Sequence, residues 1–353
     1  MRYNLNGLYI EITSKCNLMC KHCYNSSGET STDLPIDILE SLISDAVSDG
    51  IKSFTISGGE PFTRTDIVEI IELILKNEST KLTIVTNATL VKRTQLSEIK
   101  KLVSDTNRVL FQISVDGFDR ESHDFLRGKG AFDKLASNLS LFHDFGFPII
   151  FHTVLHSHNY QNVERMLEFA AQNNAERVDF TFLKKKGRTD LFYNKLLIPP
   201  DEEIHLINSF KLLEDSKKTI QFNYPKVFYG ICPLFDSEES DIFIRIDAEG
   251  NVFPCQNFDG SDSVIGNIKE RPIKEIVTET NMKDLHNRIL SKRAQRSLCR
   301  DCFINKRCGK GCPGIEFCDD YSNDYSNDCL MRRKFFLDRL NRIGCQLLKC
   351  KEE

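Results

Sequence analysis

Residues 8–23 read LYIEITSKCNLMCKHC, and this stretch joins a strand-like run to three closely spaced cysteines. The first six residues are rich in Ile, Tyr and Thr, which favours a β-strand. Cys16, Cys20 and Cys23 then fall within eight positions. A structural zinc site takes four protein ligands, so three thiols suit a metal centre that keeps one coordination position open.

Five further segments repeat the strand-like pattern, and helical patterns separate them. They are residues 53–60, 82–88, 109–117, 148–156 and 177–183. This alternation predicts the α/β class, with a parallel sheet and right-handed crossovers, open or barrel-like. Active sites in such folds gather at the carboxyl ends of the strands. The cysteines, GGEP, TNA and SVDG end the first four strands in turn, so we expect them to share one edge.

Composition narrows the function classes. The 353 residues carry a net charge of −4, which indicates neither a nucleic-acid partner nor an anionic membrane surface. The sequence has no apolar run long enough to span a bilayer and no signal-peptide core at its start, which predicts a cytoplasmic protein. Thirteen cysteines in such a chain indicate metal binding rather than disulfides.

The cysteine distribution predicts three regions: residues 1–190, a bridging region at 191–231, and a cysteine-rich region at 232–353 that ends in a helix. Residues 242–255 alternate like a hairpin whose turn holds Glu249 and Gly250. Since the first predicted strand starts at residue 8, we expect no fused leader-binding domain ahead of it.

The spacing CxxxCxxC at Cys16, Cys20 and Cys23 is typical of iron–sulfur ligation. Together with GGEP and SVDG at the neighbouring strand ends, it resembles the radical S-adenosylmethionine (SAM) enzymes. The resemblance implies a partial (β/α)6 TIM-like barrel and a [4Fe–4S] cluster whose free iron binds SAM. It also implies reductive cleavage of SAM to a 5′-deoxyadenosyl radical, which abstracts hydrogen from a substrate.

The same resemblance assigns cofactor-binding residues. They are His22, Gly58, Gly59, Glu60, Ser114, Arg127 and Leu183. Glu60 would meet the SAM amino group, Ser114 the ribose, and Arg127 the carboxylate, for which its forked guanidinium is suited. His22 would lie beside the adenine and Leu183 would be an apolar contact. The alternatives are a solvated loop residue for His22 and a core residue for Leu183.

The sequence departs from the family pattern after the third strand, where Thr86-Asn87-Ala88 replaces the common Thr-Asn-Gly. Alanine rarely adopts a positive φ. We therefore expect Ala88 to have an ordinary backbone conformation and the local path to differ from that of the family.

The C-terminal cysteines resemble the SPASM pattern of auxiliary iron–sulfur clusters, in a small cysteine-rich α+β domain. The resemblance implies two auxiliary clusters, of the [4Fe–4S] type. One would be held by Cys299, Cys302, Cys308 and Cys329. The other would be held by Cys232, Cys255 and Cys312. The alternative is a pair of zinc sites.

The fourth ligand of the second auxiliary cluster is open. Either one iron is free, or Cys318, Asp236 or Glu238 completes the set. Cys345 and Cys350 lie on the tail helix and are interpreted as small buried or surface residues rather than ligands.

The resemblance favours a ribosomally made peptide as substrate, with a cross-link, a thioether or an epimerised centre as product. Radical oxidation or epimerisation of a sugar or cyclitol is an alternative. Anaerobic sulfatase maturation is disfavoured because Gln256 stands where that branch has an Asp base. A different class is a zinc- or cluster-bearing binding protein. The implied partners are a reductant such as flavodoxin or ferredoxin and a separate leader-recognition protein.

Overall fold

The structure is a computed structural model that describes residues 2–216, 220–225, 232, 234, 239–295, 299, 301–305, 308, 312, 314 and 327–349. Its strands are β1 (Arg2–Thr13), β2 (Ser53–Gly58), β3 (Lys81–Thr86), β4 (Val109–Ser114), β5 (Ile149–Leu155), β6 (Arg177–Phe182), β7 (Gln221–Asn223), β8 (Glu239–Ile246), β9 (Asn251–Phe253) and β10 (Gly266–Asn267).

The described helices alternate with the first strands and then dominate the second half. They are α1 (Ile36–Ser48), α2 (Ile67–Leu75), α3 (Arg93–Lys101), α4 (Arg120–Arg127), α5 (Ala131–Asp144), α6 (Val163–Gln172), α7 (Tyr193–Leu196), α8 (Pro200–Ser216), α9 (Ile273–Ile276), α10 (Glu279–Ala294) and α11 (Asn327–Lys349). Short 3₁₀ helices span Pro61–Thr63, Thr106–Arg108, Tyr160–Asn162, Gly187–Leu191 and Ser261–Ser263.

All ten strands join one sheet, in the order β10–β9–β8–β1–β2–β3–β4–β5–β6–β7. Strands β1 to β7 run parallel to their sequence neighbours, and β8 runs parallel to β1. Strands β9 and β10 are antiparallel additions. The prediction of an α/β fold with a parallel sheet is confirmed.

Two of the four further strands, β7 and β8, extend the parallel part of the sheet beyond the six strands that the sequence pattern predicts. Strand β7 pairs with β6 from within the predicted bridging region. Strand β8 pairs with β1 along residues 239–246, so the cysteine-rich region continues the same sheet. The predicted hairpin is present as β8 and β9, with Gly250 at φ +87° in its turn.

The two faces of the parallel sheet differ in chemistry. On β1, Leu8, Ile10 and Ile12 are fully buried and share one apolar core with helices α1, α2, α3, α5 and α6. Tyr9 and Glu11 alternate with them and point to the opposite face, as strand geometry requires. The parallel register continues this polar face through half-buried side chains on the next strands. Helices therefore cover one face, and the other remains polar.

Candidate active site

The cysteine-bearing loop leaves β1 at the carboxyl edge of the sheet, and a buried arginine from beyond β6 holds it. Arg188 donates from Nη2 to the carbonyl oxygen of Ser27 at 2.6 Å and from Nη1 to that of Cys20 at 3.3 Å. Its backbone N–H donates to the carbonyl oxygen of Cys23 at 2.9 Å. The sequence analysis missed Arg188. Its position after the sixth parallel strand was the available indication, because that strand ends at the same edge.

The three thiols of this loop lie close together in a dry environment. Burial raises the pKa of the Cys16 thiol to about 12, and the neighbouring Cys20 and Cys23 act in the same direction. Backbone N–H groups of Leu18 and Ser27 point at the sulfurs of Cys16 and Cys23, at 3.5 and 3.3 Å. Thiolates so placed repel one another unless a cation joins them, and N–H donors suit sulfur that carries charge. The donor set fits an iron–sulfur cluster.

Gly58 and Gly59 let the cysteine-bearing loop lie directly on the end of β2. A Cβ atom at Gly59 would lie 1.9 Å from the carbonyl oxygen of Lys15, and one at Gly58 would lie 2.1 Å from that of Thr13. Gly58 also has φ +128°, a conformation that favours glycine. The backbone N–H of Gly59 donates to the carbonyl oxygen of Thr13 at 2.8 Å. The two glycines thus accommodate the loop backbone, which joins the first two strand ends.

Glu60 is buried at the same edge and binds the end of β3. One carboxylate oxygen accepts from the Thr86 hydroxyl at 2.6 Å and from the Phe62 N–H at 3.2 Å, while the other accepts from the Asn87 N–H at 2.7 Å. Burial raises the pKa of Glu60 to about 7, and these hydrogen bonds oppose the shift. The carboxylate therefore organises the Thr-Asn-Ala turn.

The prediction of an ordinary backbone at Ala88 is wrong, because Ala88 has φ +58°. Its N–H donates to the Thr86 hydroxyl at 2.9 Å, and its carbonyl oxygen accepts from the Asn138 side chain at 2.8 Å. A left-handed conformation costs a non-glycine residue about 1–2 kcal/mol. The hydrogen bonds and full burial of Ala88 offset that cost, so the turn keeps the geometry expected of glycine.

A buried carboxylate that the sequence analysis missed joins two of the predicted residues. Asp116, two residues past β4, accepts from Arg127 Nε at 2.6 Å, and His22 Nε2 lies 3.1 Å from the same oxygen. Burial opposes ionisation, but Arg127 and His22 hold the pKa of Asp116 well below its usual range. The SVDG motif contained this residue, but only the folded chain places it beside Arg127. Asp116 therefore orients Arg127 and His22 towards each other.

The other predicted contacts lie around this carboxylate. The His22 side chain is 7% exposed, which excludes the solvated-loop alternative, and its buried Nδ1 has no hydrogen-bond partner within the described residues. Ser114 ends β4 on the polar face and pairs with His152 on β5. Leu183 follows β6 and is half-buried. A buried ring nitrogen with no partner among these residues leaves room for a ligand's polar atom.

One group of C-terminal cysteines gathers at the start of the region after β9. Burial raises the pKa of the Cys255 thiol to about 12, with Cys312 and Cys232 adding to the shift through their negative charge. Asn257 donates from Nδ2 to the Cys312 sulfur at 3.3 Å. Lys184, two residues past β6, donates to the side-chain oxygen of Asn257. These three thiols are thus near one another and near the end of β6.

The other group gathers at α11. Burial raises the pKa of the Cys329 thiol to about 11, and the charge of Arg332 opposes this. The negative charges of Cys302, Cys299 and Cys308 raise this pKa further. Four thiols in mutual reach make a complete ligand set for a cluster.

The candidates for a fourth ligand in the first group lie outside the described residues. They are Cys318, Asp236 and Glu238, and Cys350 is outside as well. Cys345 belongs to α11, but its side chain is not described. Among the side chains that the structure describes, no three Cys, His, Asp or Glu converge tightly enough for a single metal ion.

Two family models match this chain, one in its N-terminal part and one in its cysteine-rich C-terminal part. Residues 10–170 match the radical SAM superfamily, and residues 238–303 match an iron–sulfur cluster-binding domain, SPASM. The chain therefore carries a radical SAM domain followed by a SPASM domain. This radical SAM enzyme therefore uses SAM and iron–sulfur clusters, as the resemblance of its motifs implies.

Relatives of this radical SAM enzyme act on different substrates. It is 25% identical to the AdoMet-dependent heme synthase of Methanosarcina barkeri, over 86% of this chain and 89% of that protein. It is 23% identical to the PqqA peptide cyclase of Rhizobium meliloti, over 87% of this chain and 81% of that protein.

Solved structures share the fold of this radical SAM enzyme. Streptococcus suis SuiB bound to its precursor peptide SuiA aligns with a TM-score of 0.72 and 20% identity, covering 92% of this chain and 76% of SuiB. Native anSMEcpe with bound AdoMet aligns with a TM-score of 0.69 and 20% identity, covering 97% of this chain and 99% of that one. Within the described residues, no helix combines the length and apolarity needed to cross a bilayer.

Proposed function

We propose that this radical SAM enzyme modifies a ribosomally made peptide. The observation that carries the site assignment is the convergence of four strand ends: the cysteine-bearing loop, Glu60, the Thr-Asn-Ala turn and Asp116 with Arg127. The peptide assignment is supported by the similarity to PqqA peptide cyclase. It is also supported by the bacteriocin biosynthesis protein AlbA of Bacillus subtilis, 27% identical over half of this chain.

The first cluster would be held by Cys16, Cys20 and Cys23. When bound, the cluster and SAM supply one electron and a 5′-deoxyadenosyl radical that removes hydrogen from the substrate. Backbone N–H groups from the loop support the sulfurs, and Arg188 holds the loop in place.

The cofactor-binding roles follow from the charges at the edge of the sheet. Asp116 engages Nε of Arg127, and His22 Nε2 lies 3.5 Å from Nη2. The remaining guanidinium N–H groups would bind the SAM carboxylate. Glu60 would face the SAM amino group with a carboxylate that the β3 turn already orients. Ser114 would bind the ribose, and Leu183 would be an apolar contact at the end of β6. His22 would offer its buried Nδ1 beside the adenine.

Each of the two groups of C-terminal cysteines would hold one auxiliary cluster. Cys232, Cys255 and Cys312 would form the set next to the end of β6. The second set would be Cys299, Cys302, Cys308 and Cys329. We also propose the division into residues 1–190, 191–231 and 232–353 as functional regions, with β8 of the third region paired to β1 of the first. Flavodoxin or ferredoxin as reductant and a separate leader-recognition protein complete the proposal.

The test of the site is replacement of Cys16, Cys20 and Cys23 by Ala in the full-length, anaerobically reconstituted enzyme. We expect reductive SAM cleavage to be lost and the iron of the auxiliary clusters to remain, because each set of thiols is separate. Cys345→Ala on the tail helix is the matched control and should retain wild-type 5′-deoxyadenosine formation. A triple variant that still forms 5′-deoxyadenosine at the wild-type rate would disprove the assignment.

A tetrapyrrole is the second candidate substrate, favoured by the 25% identity to the heme synthase and the 24% identity to the Fe-coproporphyrin III synthase of the same organism. The enzyme should be incubated with SAM and reductant, once with Fe-coproporphyrin III and once with the product of any short open reading frame beside its gene. A mass change in the peptide, together with 5′-deoxyadenosine, supports the peptide assignment. A mass change in the tetrapyrrole alone overturns it.

A further inference from the structure

Lys184 and Asn257 form a hydrogen-bonded chain that ends on a proposed cluster ligand. Lys184 Nζ donates to Asn257 Oδ1, and Asn257 Nδ2 donates to the Cys312 sulfur at 3.3 Å. The backbone N–H of Asn257 also lies near the Cys255 sulfur and lowers the pKa of that thiol, against the effect of burial. Asn257 therefore approaches two thiols of the same set, one through its side-chain amide and the other through its backbone N–H.

The lysine determines which way the asparagine amide faces. A lysine ammonium can only donate, so it must meet the amide oxygen. The NH₂ end is then left to point at the sulfur of Cys312. Gly314 packs against the Asn257 backbone, where an added Cβ would lie 2.7 Å from its carbonyl carbon. This close packing holds the backbones of Asn257 and Gly314 in contact.

Hydrogen bonds and positive charge at the sulfurs raise the reduction potential of an iron–sulfur cluster. Reduction adds one negative charge, which both an N–H donor and a nearby ammonium stabilise. Lys184 is half-buried and follows β6, so it connects the polar face of the sheet with this thiol set. Lys185, the next residue, is exposed.

We propose that Lys184 is a positioning residue that, through Asn257, raises the reduction potential of the cluster held by Cys232, Cys255 and Cys312. This inference rests on the proposed ligation. A cluster poised in this way accepts one electron more readily, as an oxidised product requires once hydrogen has been removed from the substrate.

The experiment is an EPR-monitored redox titration of the full-length, anaerobically reconstituted enzyme, with iron quantified in every variant. The signal of this cluster is identified by its loss in Cys312→Ala. If Cys312→Ala loses no iron, the ligand assignment fails, and that result is separate from the outcome of the titration.

Lys184→Met removes the charge and the constraint on the amide, and Asn257→Leu removes the side-chain donor. We expect each to move the midpoint potential in the negative direction. A roughly tenfold change in the ratio of reduced to oxidised cluster at fixed potential corresponds to about 59 mV for one electron. Lys184→Arg keeps the charge and the donor, and should stay near the wild-type value.

Lys185→Met is the matched control, because it removes the same net charge from the exposed neighbour and should leave the potential unchanged. If Asn257→Leu loses the cluster iron, its potential cannot be measured. Lys184→Met then provides the test of the proposal, since Lys184 donates to the amide and not to a thiol. The proposal is overturned if Lys184→Met keeps the iron and the wild-type potential. It is also overturned if Lys184→Met loses the iron, or if Lys185→Met shifts the potential equally.

Discussion

Two aspartate–arginine pairs in this protein have the same geometry and opposite environments. Arg127 Nε lies 2.6 Å from Asp116, with side chains 8% and 0% exposed. Arg120 Nε lies 2.6 Å from Asp133, with side chains 76% and 53% exposed. Replacing each aspartate by asparagine keeps the shape and removes one negative charge. The two variants then differ in burial and in the further contacts of Asp116 with His22 and the Val154 N–H.

Asp116→Asn should lower the free energy of unfolding by about 3–5 kcal/mol, because it leaves the Arg127 charge buried without its partner. Asp133→Asn should cause no measurable loss, since water solvates both groups of that pair. Urea denaturation of the cluster-free, full-length chain measures both, with an unchanged m-value showing that the midpoint reports stability.

The same variants test the function of the buried pair. An Arg127 freed from Asp116 is no longer oriented, so SAM affinity of the reconstituted Asp116→Asn enzyme should fall roughly tenfold or more. Equilibrium dialysis measures it, with Asp133→Asn expected at the wild-type value. Equal stability losses in the two variants, or unchanged SAM affinity in Asp116→Asn, would refute the reasoning.

Three further predictions concern the edge of the sheet. Gly59→Ala should displace the cysteine-bearing loop, because its Cβ would lie 1.9 Å from the Lys15 carbonyl oxygen. The reconstituted variant should then hold less iron and cleave less SAM. Full iron content would contradict this prediction. Arg188→Ala should lower iron retention by removing donors to Ser27 and Cys20, whereas Arg165→Ala, on α6, should not. Glu60 has its pKa raised by burial from 4.5 to about 7, so the folded chain holds a proton that the unfolded chain has released between these values. The free energy of unfolding of the cluster-free chain should therefore fall as the pH rises from 4.5 to 7, by on the order of 3 kcal/mol, and Glu60→Gln should remove that part of the pH dependence.

The sequence by itself determined the alternation of strands and helices, the parallel sheet and the edge at which the strands end. Residues 8–13 alternate as a strand should, and the side-chain period of two also explains why Glu11 faces away from the apolar core. Cys16, Cys20 and Cys23 lie within eight residues, so their spacing can be recognised in the sequence without knowledge of the fold. These features depend on neighbours in sequence.

Only the tertiary structure decided the contacts between distant segments. Strand β8 joins β1 across more than two hundred residues, and Arg188 reaches the cysteine-bearing loop from beyond β6. Ala88 takes a positive φ because Thr86 and Asn138 hold its backbone, although alanine by itself disfavours that conformation. The preference of alanine against a positive φ amounts to about 1–2 kcal/mol, and hydrogen bonds formed on burial are strong enough to offset it. Those bonds exist only when segments far apart in sequence have come together.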